Sequence, residues 1–245
     1  MDIIEIANKA SKIPGVKWLL KPFYYRYKRY LNDKVVNNFK ENGLDIIKEY
    51  DEIMTKSGYN YFLIFGSLLG AVREKGLIKH DLDLDTAMWI DDADDNLKPT
   101  LEKAGFKLTH SFEVDDGKKG REWTFEKKGI SIDIFFFYPP VRVNPYCCDF
   151  PDGDGDDCVT WSQLVRKYGG VKPRRVELPI THDFIRVPFE TLQLPIPINS
   201  HEILKLHYGV NYMTPIAKWT RDVKKEPPTH LVMWDGMLAV YKEFH

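Results

Sequence analysis

Two aspartates separated by one residue are the clearest chemical signal in this sequence. Asp83 and Asp85 flank Leu84 within residues 81–88, where acidic and apolar positions alternate as they do in a β-strand. Residues i and i+2 of a strand point to the same face, so we expect the two carboxylates side by side. Like charges at that separation repel, and Mg²⁺ or Mn²⁺, which prefer oxygen ligands, would relieve the repulsion.

A third acid, Asp133, stands alone in the apolar segment 130–137, which predicts a buried strand. A carboxylate buried there is costly without a partner, and a metal shared with Asp83 and Asp85 would supply one. Each acid also has a simpler interpretation: Asp-x-Asp is often a solvated surface, and Asp133 could cap a neighbouring backbone group. The three acids together favour a metal site.

A Gly66-Ser67 pair follows the apolar segment 59–65, which we predict to be a buried strand, and precedes a predicted short helix over 68–73. A tight turn here would offer free backbone N–H groups that can hold phosphate. Basic residues that could clamp phosphate follow the turn, although each could equally be a surface charge. These candidates are Arg73, Lys75, Lys79 and Arg121, with His80 as a further phosphate contact.

The whole segment from Phe65 to Asp85 resembles the signature of the LicD/fukutin-related family: Gly-Ser-Leu-Leu-Gly, then an arginine, an isoleucine and spaced acids. Two later stretches fit the same pattern, Ile132-Asp133-Ile134-Phe135 and Tyr208-Gly209 with Met213-x-Pro215. Lys79-His80 departs from it where many members carry Pro-Trp, and Leu82 departs where many carry Asp. The arrangement of turn and acids also resembles the nucleotidyltransferase fold of the DNA polymerase β type.

The resemblance implies a Mg²⁺-dependent transferase. Such an enzyme moves a phospho-alcohol, for example phosphocholine or ribitol phosphate, from a CDP-activated donor to a sugar hydroxyl of a glycan or glycolipid, and CMP leaves. Asp83 and Asp85 would then hold the metal against the diphosphate, Asp133 would complete the site and accept the proton, and Arg73 would be the leading phosphate clamp. Two alternatives stay open: a nucleotidyltransferase attacking the α-phosphate of an NTP, and an inactive glycan-binding subunit.

The predicted fold is a single mixed α/β (α+β) catalytic domain over residues 57–245, preceded by a helical extension over 1–56. We expect a helix over 97–104, strands over 123–127 and 130–138 around a Lys128-Gly129 turn, and loops with short elements over 139–200. The C-terminal part should contain a helix over 200–208, with Ser200 as its N-cap, and a short apolar helix after Pro227-Pro228.

The N-terminal segment 17–30 mixes aromatic and basic residues. It could contact an anionic membrane, or it could be a helix packed on the domain and interrupted at Pro22. The chain as a whole has a formal net charge of −1, which argues against a bulk nucleic-acid binder. The start of the sequence lacks secretory features and no apolar run reaches spanning length, so we expect a cytoplasmic protein, with the inner face of the membrane as the alternative.

Three cysteines lie near an acidic loop: Cys147, Cys148 and Cys158. Together with a histidine such as His110 they could form a structural zinc site, although the spacing is not that of a standard zinc finger and free thiols are the simpler interpretation. The acids between them do not form an EF-hand, because Asp157 stands where that loop needs glycine and Gln163 where it needs Glu.

Overall fold

A long N-terminal helix packs against one face of a mixed sheet in the computed structural model, which describes residues 16–79, 81–151, 160–215 and 230–244. Helix α1 spans Val16–Lys56 and continues through Pro22, so the predicted interruption there is wrong. A proline inside a helix removes one hydrogen bond, which a helix of this length can tolerate. The C-terminal half of α1 buries five large side chains in the core: Phe39, Ile46, Ile47, Tyr50 and Met54.

The central sheet has six strands. Their spatial order is β1 (Phe62–Leu63), β2 (Asp83–Trp89), β5 (Ile130–Phe137), β4 (Gly120–Lys127), β3 (Lys107–Val114) and β11 (Val240–Glu243). Only β2 and β5 run parallel among these neighbours; the other pairs are antiparallel. This mixed sheet, with helices and long loops around it, confirms the predicted α+β class.

The predicted turn at Lys128-Gly129 connects β4 to β5. Lys128 has a φ of 53° and Gly129 a φ of 73°, the left-handed pair that a two-residue hairpin turn requires. Asn38 of α1 donates its side-chain amide to the carbonyl of Lys128 at 2.9 Å. The hairpin is therefore fixed both by its own turn and by the helix beneath it.

The segment between β1 and β2 differs in detail from the prediction. β1 has two residues rather than the seven predicted, because Phe65 leaves the strand with a φ of 44° and begins helix α2 (Phe65–Leu69). A single turn of π-helix, Gly70–Glu74, continues α2 and carries Arg73. A short 3₁₀ turn, Ile90–Asp92, follows β2, and helix α3 (Leu97–Lys103) is confirmed, with Gly105 in the left-handed region after it.

Short elements fill the second half of the chain. A three-stranded sheet has the order β10 (Leu231–Met233), β7 (Arg174–Glu177) and β6 (Tyr146–Asp149). Helix α4 covers Trp161–Tyr168, and β8 (Phe184–Phe189) pairs with β9 (Leu192–Pro197) in a hairpin. No helix within the described ranges is both long enough and apolar enough to cross a lipid bilayer.

Two predictions for the C-terminal part are wrong. The expected apolar helix is replaced by β10 and β11, because these segments pair with β7 and β3, strands that are distant in sequence. Helix α5 spans Ser200–Tyr208 as predicted, but its N-cap is Asn199, and Ser200 is a buried first residue of the helix. The Asn199 amide donates to the carbonyl of Pro179 at 2.7 Å, which ties the start of α5 to the preceding loop.

Candidate active site

The three predicted acids lie on one face of the sheet. Asp85 on β2 is directly opposite Asp133 on β5, and Asp133 is opposite Thr124 on β4. Neighbouring strands are about 4.8 Å apart, so these side chains lie side by side. Asp83 lies two residues before Asp85 on β2 and faces the same side. We call Asp83, Asp85 and Asp133 the acidic row. Asp83 is exposed, and Asp85 and Asp133 are partly exposed.

The Gly66-Ser67 turn orients Asp85. The backbone N–H of Gly66 donates to Asp85 Oδ2 at 2.8 Å, and the Ser67 hydroxyl oxygen accepts from the Asp85 backbone N–H at 2.8 Å. The Gly66 N–H, which was expected to be free for phosphate, is therefore engaged by the acid in this structure. A Cβ at position 66 would lie 2.9 Å from Asp85 Oδ2 and 3.2 Å from Asp81 Oδ2, so a side chain here would displace the Asp85 carboxylate.

Asp133 is fixed by two threonines. The Thr124 hydroxyl donates to Asp133 Oδ1 at 2.6 Å, and the Thr86 hydroxyl donates to the Asp133 carbonyl at 2.9 Å. The Tyr50 hydroxyl lies 3.2 Å from Thr86 Oγ1, which links α1 to the same strand pair. Spacing along the chain does not indicate these supporting residues, because only the pairing of β2, β5 and β4 places them beside Asp133.

The carboxyl groups of the row, together with the nearby Asp81, have raised pKa values. Desolvation, followed by repulsion from Asp83, Asp133 and Asp81, holds the pKa of Asp85 well above its usual range. Desolvation and the charge of Asp83 raise the pKa of Asp133 to about 7 and that of Asp81 to about 6. Desolvation also raises the pKa of Asp83. Without a counter-ion, these groups resist being ionised together.

Glu122 is a further acid on the same face and is not among the predicted site residues. It precedes Thr124 by two residues on β4, faces the same side of the sheet, and is buried. Desolvation, followed by the charges of Asp133 and Asp149, raises its pKa well above the usual range. The alternation of Glu122, Thr124 and Glu126 along β4 was the available signal.

The basic candidates are distributed unequally around the row. Arg73 lies close enough to Asp81 for its charge to lower the pKa of that carboxyl, although desolvation and Asp83 raise it by more. Lys75 and Lys79 are exposed on the segment that joins the π-helix to β2, and His80 lies outside the described residues. Arg73 is therefore the basic candidate within electrostatic reach of Asp81, two residues before Asp83.

Arg121 does not belong to this group. It occupies the position before Glu122 on β4 and therefore points to the opposite face of the sheet. There it pairs with Glu113 at 3.3 Å and lies over the rings of Trp123 and Phe136. Its predicted role as a phosphate clamp at the acidic row is therefore wrong.

The predicted zinc ligands are only partly described. Cys147 and Cys148 are consecutive residues of β6, both buried, and Cys158 lies outside the described residues. Consecutive strand residues point to opposite faces, so these two thiols cannot converge on one ion while β6 stays paired with β7. Burial raises the pKa of both thiols, which disfavours the thiolate form that zinc requires.

The chemistry of the acidic row suits a hard divalent cation. Across the described ranges, no three His, Cys, Asp or Glu side chains form a ready-made metal cage. Mg²⁺ does not need one, because it is commonly held by one or two carboxylates together with substrate phosphate oxygens and water. The exposed Asp83 and the mutually repelling Asp85 and Asp133 fit that mode of binding.

This fold and site define a class that sequence comparison identifies. Residues 58–199 match the LicD/FKTN/FKRP nucleotidyltransferase domain family, and the chain belongs to that family. The matched range contains the turn, the π-helix and all three acids of the row.

Curated transferases are similar to this chain over most of its length. "Ribitol-5-phosphate transferase FKTN" of Homo sapiens is 23% identical over 226 residues, covering 88% of this chain and 44% of the relative. The Mus musculus protein of the same name is 23% identical over 224 residues, with 87% and 44% coverage. "Uncharacterized protein RP689" of Rickettsia prowazekii (strain Madrid E) is 30% identical over 88 residues, or 33% of each chain. The chain thus spans less than half the length of the transferases it resembles.

Proposed function

We propose that this protein is a Mg²⁺-dependent transferase that moves a phospho-alcohol from a CDP-activated donor to a sugar hydroxyl of a glycan. Ribitol phosphate is the first candidate for the group transferred, because the full-length relatives are named ribitol-5-phosphate transferases. Membership of the LicD/FKTN/FKRP family supports this reaction class.

The observation that carries the proposal is the row of acids on β2 and β5. Asp85 is held by hydrogen bonds with both residues of the turn, Gly66 at its carboxylate and Ser67 at its backbone N–H. Asp133 is held by Thr124. Phosphoryl transfer depends mainly on positioning and charge neutralisation. Carboxylates held in fixed directions, with the charge of Arg73 near Asp81, are suited to both tasks.

In the proposed reaction, the acceptor hydroxyl oxygen bonds to the phosphorus that carries the alcohol. The bond from that phosphorus to the bridging diphosphate oxygen breaks, and CMP leaves with the electron pair. Mg²⁺, when bound, neutralises the charge that develops on the diphosphate. Asp83 and Asp85 would hold the ion, and Asp133 would take the hydroxyl proton. Thr124 occupies Asp133 Oδ1, so Oδ2 is the oxygen that accepts this proton.

Product identity tests the proposal. Purified protein is incubated with MgCl₂ and CDP-ribitol, CDP-glycerol, CDP-choline, CTP or ATP, after a thermal-shift screen of the same ligands. Release of CMP from a CDP-alcohol that increases with a glycan acceptor is the expected result. Pyrophosphate release from CTP or ATP would instead identify a nucleotidyltransferase. Absence of both products and of any Mg²⁺-dependent thermal shift would favour a binding subunit.

A further inference from the structure

The segment after α5, residues 209–215, lies against the π-helix that carries Arg73. Two tight turns shape it, since the Tyr212 N–H donates to the Gly209 carbonyl at 3.2 Å and the Thr214 N–H donates to the Asn211 carbonyl at 2.9 Å. Its centre, Tyr212, is 5% exposed, whereas the neighbouring Met213 is 49% exposed. The segment therefore packs inward through Tyr212.

The Tyr212 backbone contacts Arg73 directly. Arg73 Nη1 donates to the Tyr212 carbonyl at 3.3 Å, and Arg73 Nε donates to Glu74 Oε1 at 2.8 Å. These contacts use two of the five N–H donors of the guanidinium, and the side chain is only 12% exposed. The direction of the Arg73 guanidinium is thus set from two sides, within electrostatic reach of Asp81.

The side chain of Tyr212 is itself held. Its hydroxyl shares a hydrogen bond with His201 Nδ1, and His201 lies in the first turn of α5. The Gly209 carbonyl, just past the end of α5, holds the Tyr212 N–H. Both ends of α5 therefore fix the carbonyl that receives Arg73.

We propose that Tyr212 is a positioning residue that holds Arg73 ready for a diphosphate, with His201 anchoring the tyrosine. This inference rests on the proposed function, in which a diphosphate binds at the acidic row. A long arginine side chain loses rotamer freedom when it binds an anion, and prior contacts reduce that loss. It also gives a physical role to the C-terminal Tyr208-Gly209…Met213-x-Pro215 motif.

A double-mutant cycle tests the proposal. Binding of inorganic pyrophosphate in the presence of MgCl₂ is measured by calorimetry for wild type, Tyr212→Phe, Arg73→Ala and the double variant. Tyr212→Phe keeps the carbonyl but removes the hydroxyl that His201 anchors, so we expect about fivefold weaker binding. In the Arg73→Ala background the same change should have no further effect. Tyr138→Phe is the matched control, because it removes another buried tyrosine hydrogen bond, to the Gly117 carbonyl, and should leave binding unchanged.

The inference would be overturned if Tyr212→Phe weakened pyrophosphate binding equally in the wild-type and Arg73→Ala backgrounds. It would also be overturned if Tyr138→Phe weakened binding as much as Tyr212→Phe does. Either result would leave only a structural role for Tyr212. Unchanged binding in Tyr212→Phe, or no pyrophosphate binding by wild type, would overturn it too. The proposed function fails separately: a wild-type protein that binds pyrophosphate and obeys the cycle but releases no CMP from any CDP-alcohol supports the clamp and rejects the transfer reaction.

Discussion

Asp83, Asp85 and Asp133 make different contacts but share one electrostatic environment, so removing a charge should affect activity far more than folding. Replacing any of them with Asn keeps the shape of the side chain and relieves repulsion in the metal-free protein. We expect CMP release to fall by about 10²–10³ or more in each variant, a loss typical of one electrostatic contact in the transition state. Assays of all three variants with and without MgCl₂ check this. Near-normal turnover in both the Asp83 and Asp85 variants would contradict the proposed function.

Thr124 is a second test at the level of single residues, because its hydroxyl donates to Asp133 Oδ1 at 2.6 Å. Thr124→Val keeps the shape but removes the donor, and should lower kcat about tenfold with little change in donor KM, while Thr124→Ser should restore it. Thr160→Val, which removes the N-cap of α4, is the control for a loss of stability alone. A kcat loss that Thr124→Ser fails to restore would indicate packing as the cause.

Among the secondary-structure elements, the β8–β9 hairpin restrains the segment between the π-helix and β2. The backbone N–H of Glu190, at the hairpin turn, donates to the Lys75 carbonyl at 2.6 Å, and its Oε1 accepts from the Leu77 N–H at 3.4 Å. Gly76 lies beneath it, where a Cβ would be 2.6 Å from Glu190 Cγ. The hairpin therefore helps to set the path of the chain that carries Lys75 and Lys79 toward the acids.

Glu190→Ala should loosen this segment without unfolding the protein, because Glu190 is exposed. We expect donor KM to rise about threefold to fivefold with a melting temperature close to that of wild type, as for loss of one hydrogen bond. Glu190→Gln, which keeps an acceptor oxygen, should behave nearly as wild type, and Glu52→Ala on the exposed side of α1 serves as the control. A similar KM in Glu190→Ala and wild type would show that the backbone contact alone is sufficient.

The sequence is informative about these elements where the determining contacts are local. The β4–β5 hairpin follows from alternation and the Lys128-Gly129 turn, and the Asp-x-Asp spacing correctly predicts strand β2. Strands β10 and β11 were missed because their partners, β7 and β3, are distant in sequence. The same limit explains Arg121 and Glu122. Alternation along β4 separates the two side chains, but the face that joins Asp133 is set by the pairing of β4 with β5.

For the molecule as a whole, the acidic row predicts how stability depends on pH. The folded pKa values of Asp133, about 7, and Asp81, about 6, lie above the value of about 4 expected for an unfolded chain. Between these values the native state binds more protons than the unfolded state, so metal-free stability contributed by these groups falls as pH rises from about 4 to about 7.

Comparing Asp133→Asn with wild type separates the contribution of Asp133 to the pH dependence of stability from that of other titrating groups. With chelator present, the melting temperature of the variant minus that of wild type should increase between pH 5 and pH 8, because only wild type ionises Asp133. Adding MgCl₂ at pH 8 should reduce the difference, since the ion relieves the repulsion in wild type. A difference that is constant across this pH range would mean that Asp133 does not titrate in the folded protein.

The single parallel pair in the sheet has a consequence for how the chain folds. The β4–β5 hairpin can form early, because two residues close it, whereas Thr86 and Asp133 are 47 residues apart in sequence when they meet across β2 and β5. Closing that longer loop is slower and brings Asp85 beside Asp133 at the same moment. We therefore expect the docking of β2 onto β5 to be a late step that works against charge repulsion. Refolding should be faster where the carboxyl groups are protonated or a divalent ion is present. The carboxylates proposed to bind the ion should therefore also influence how fast the protein folds.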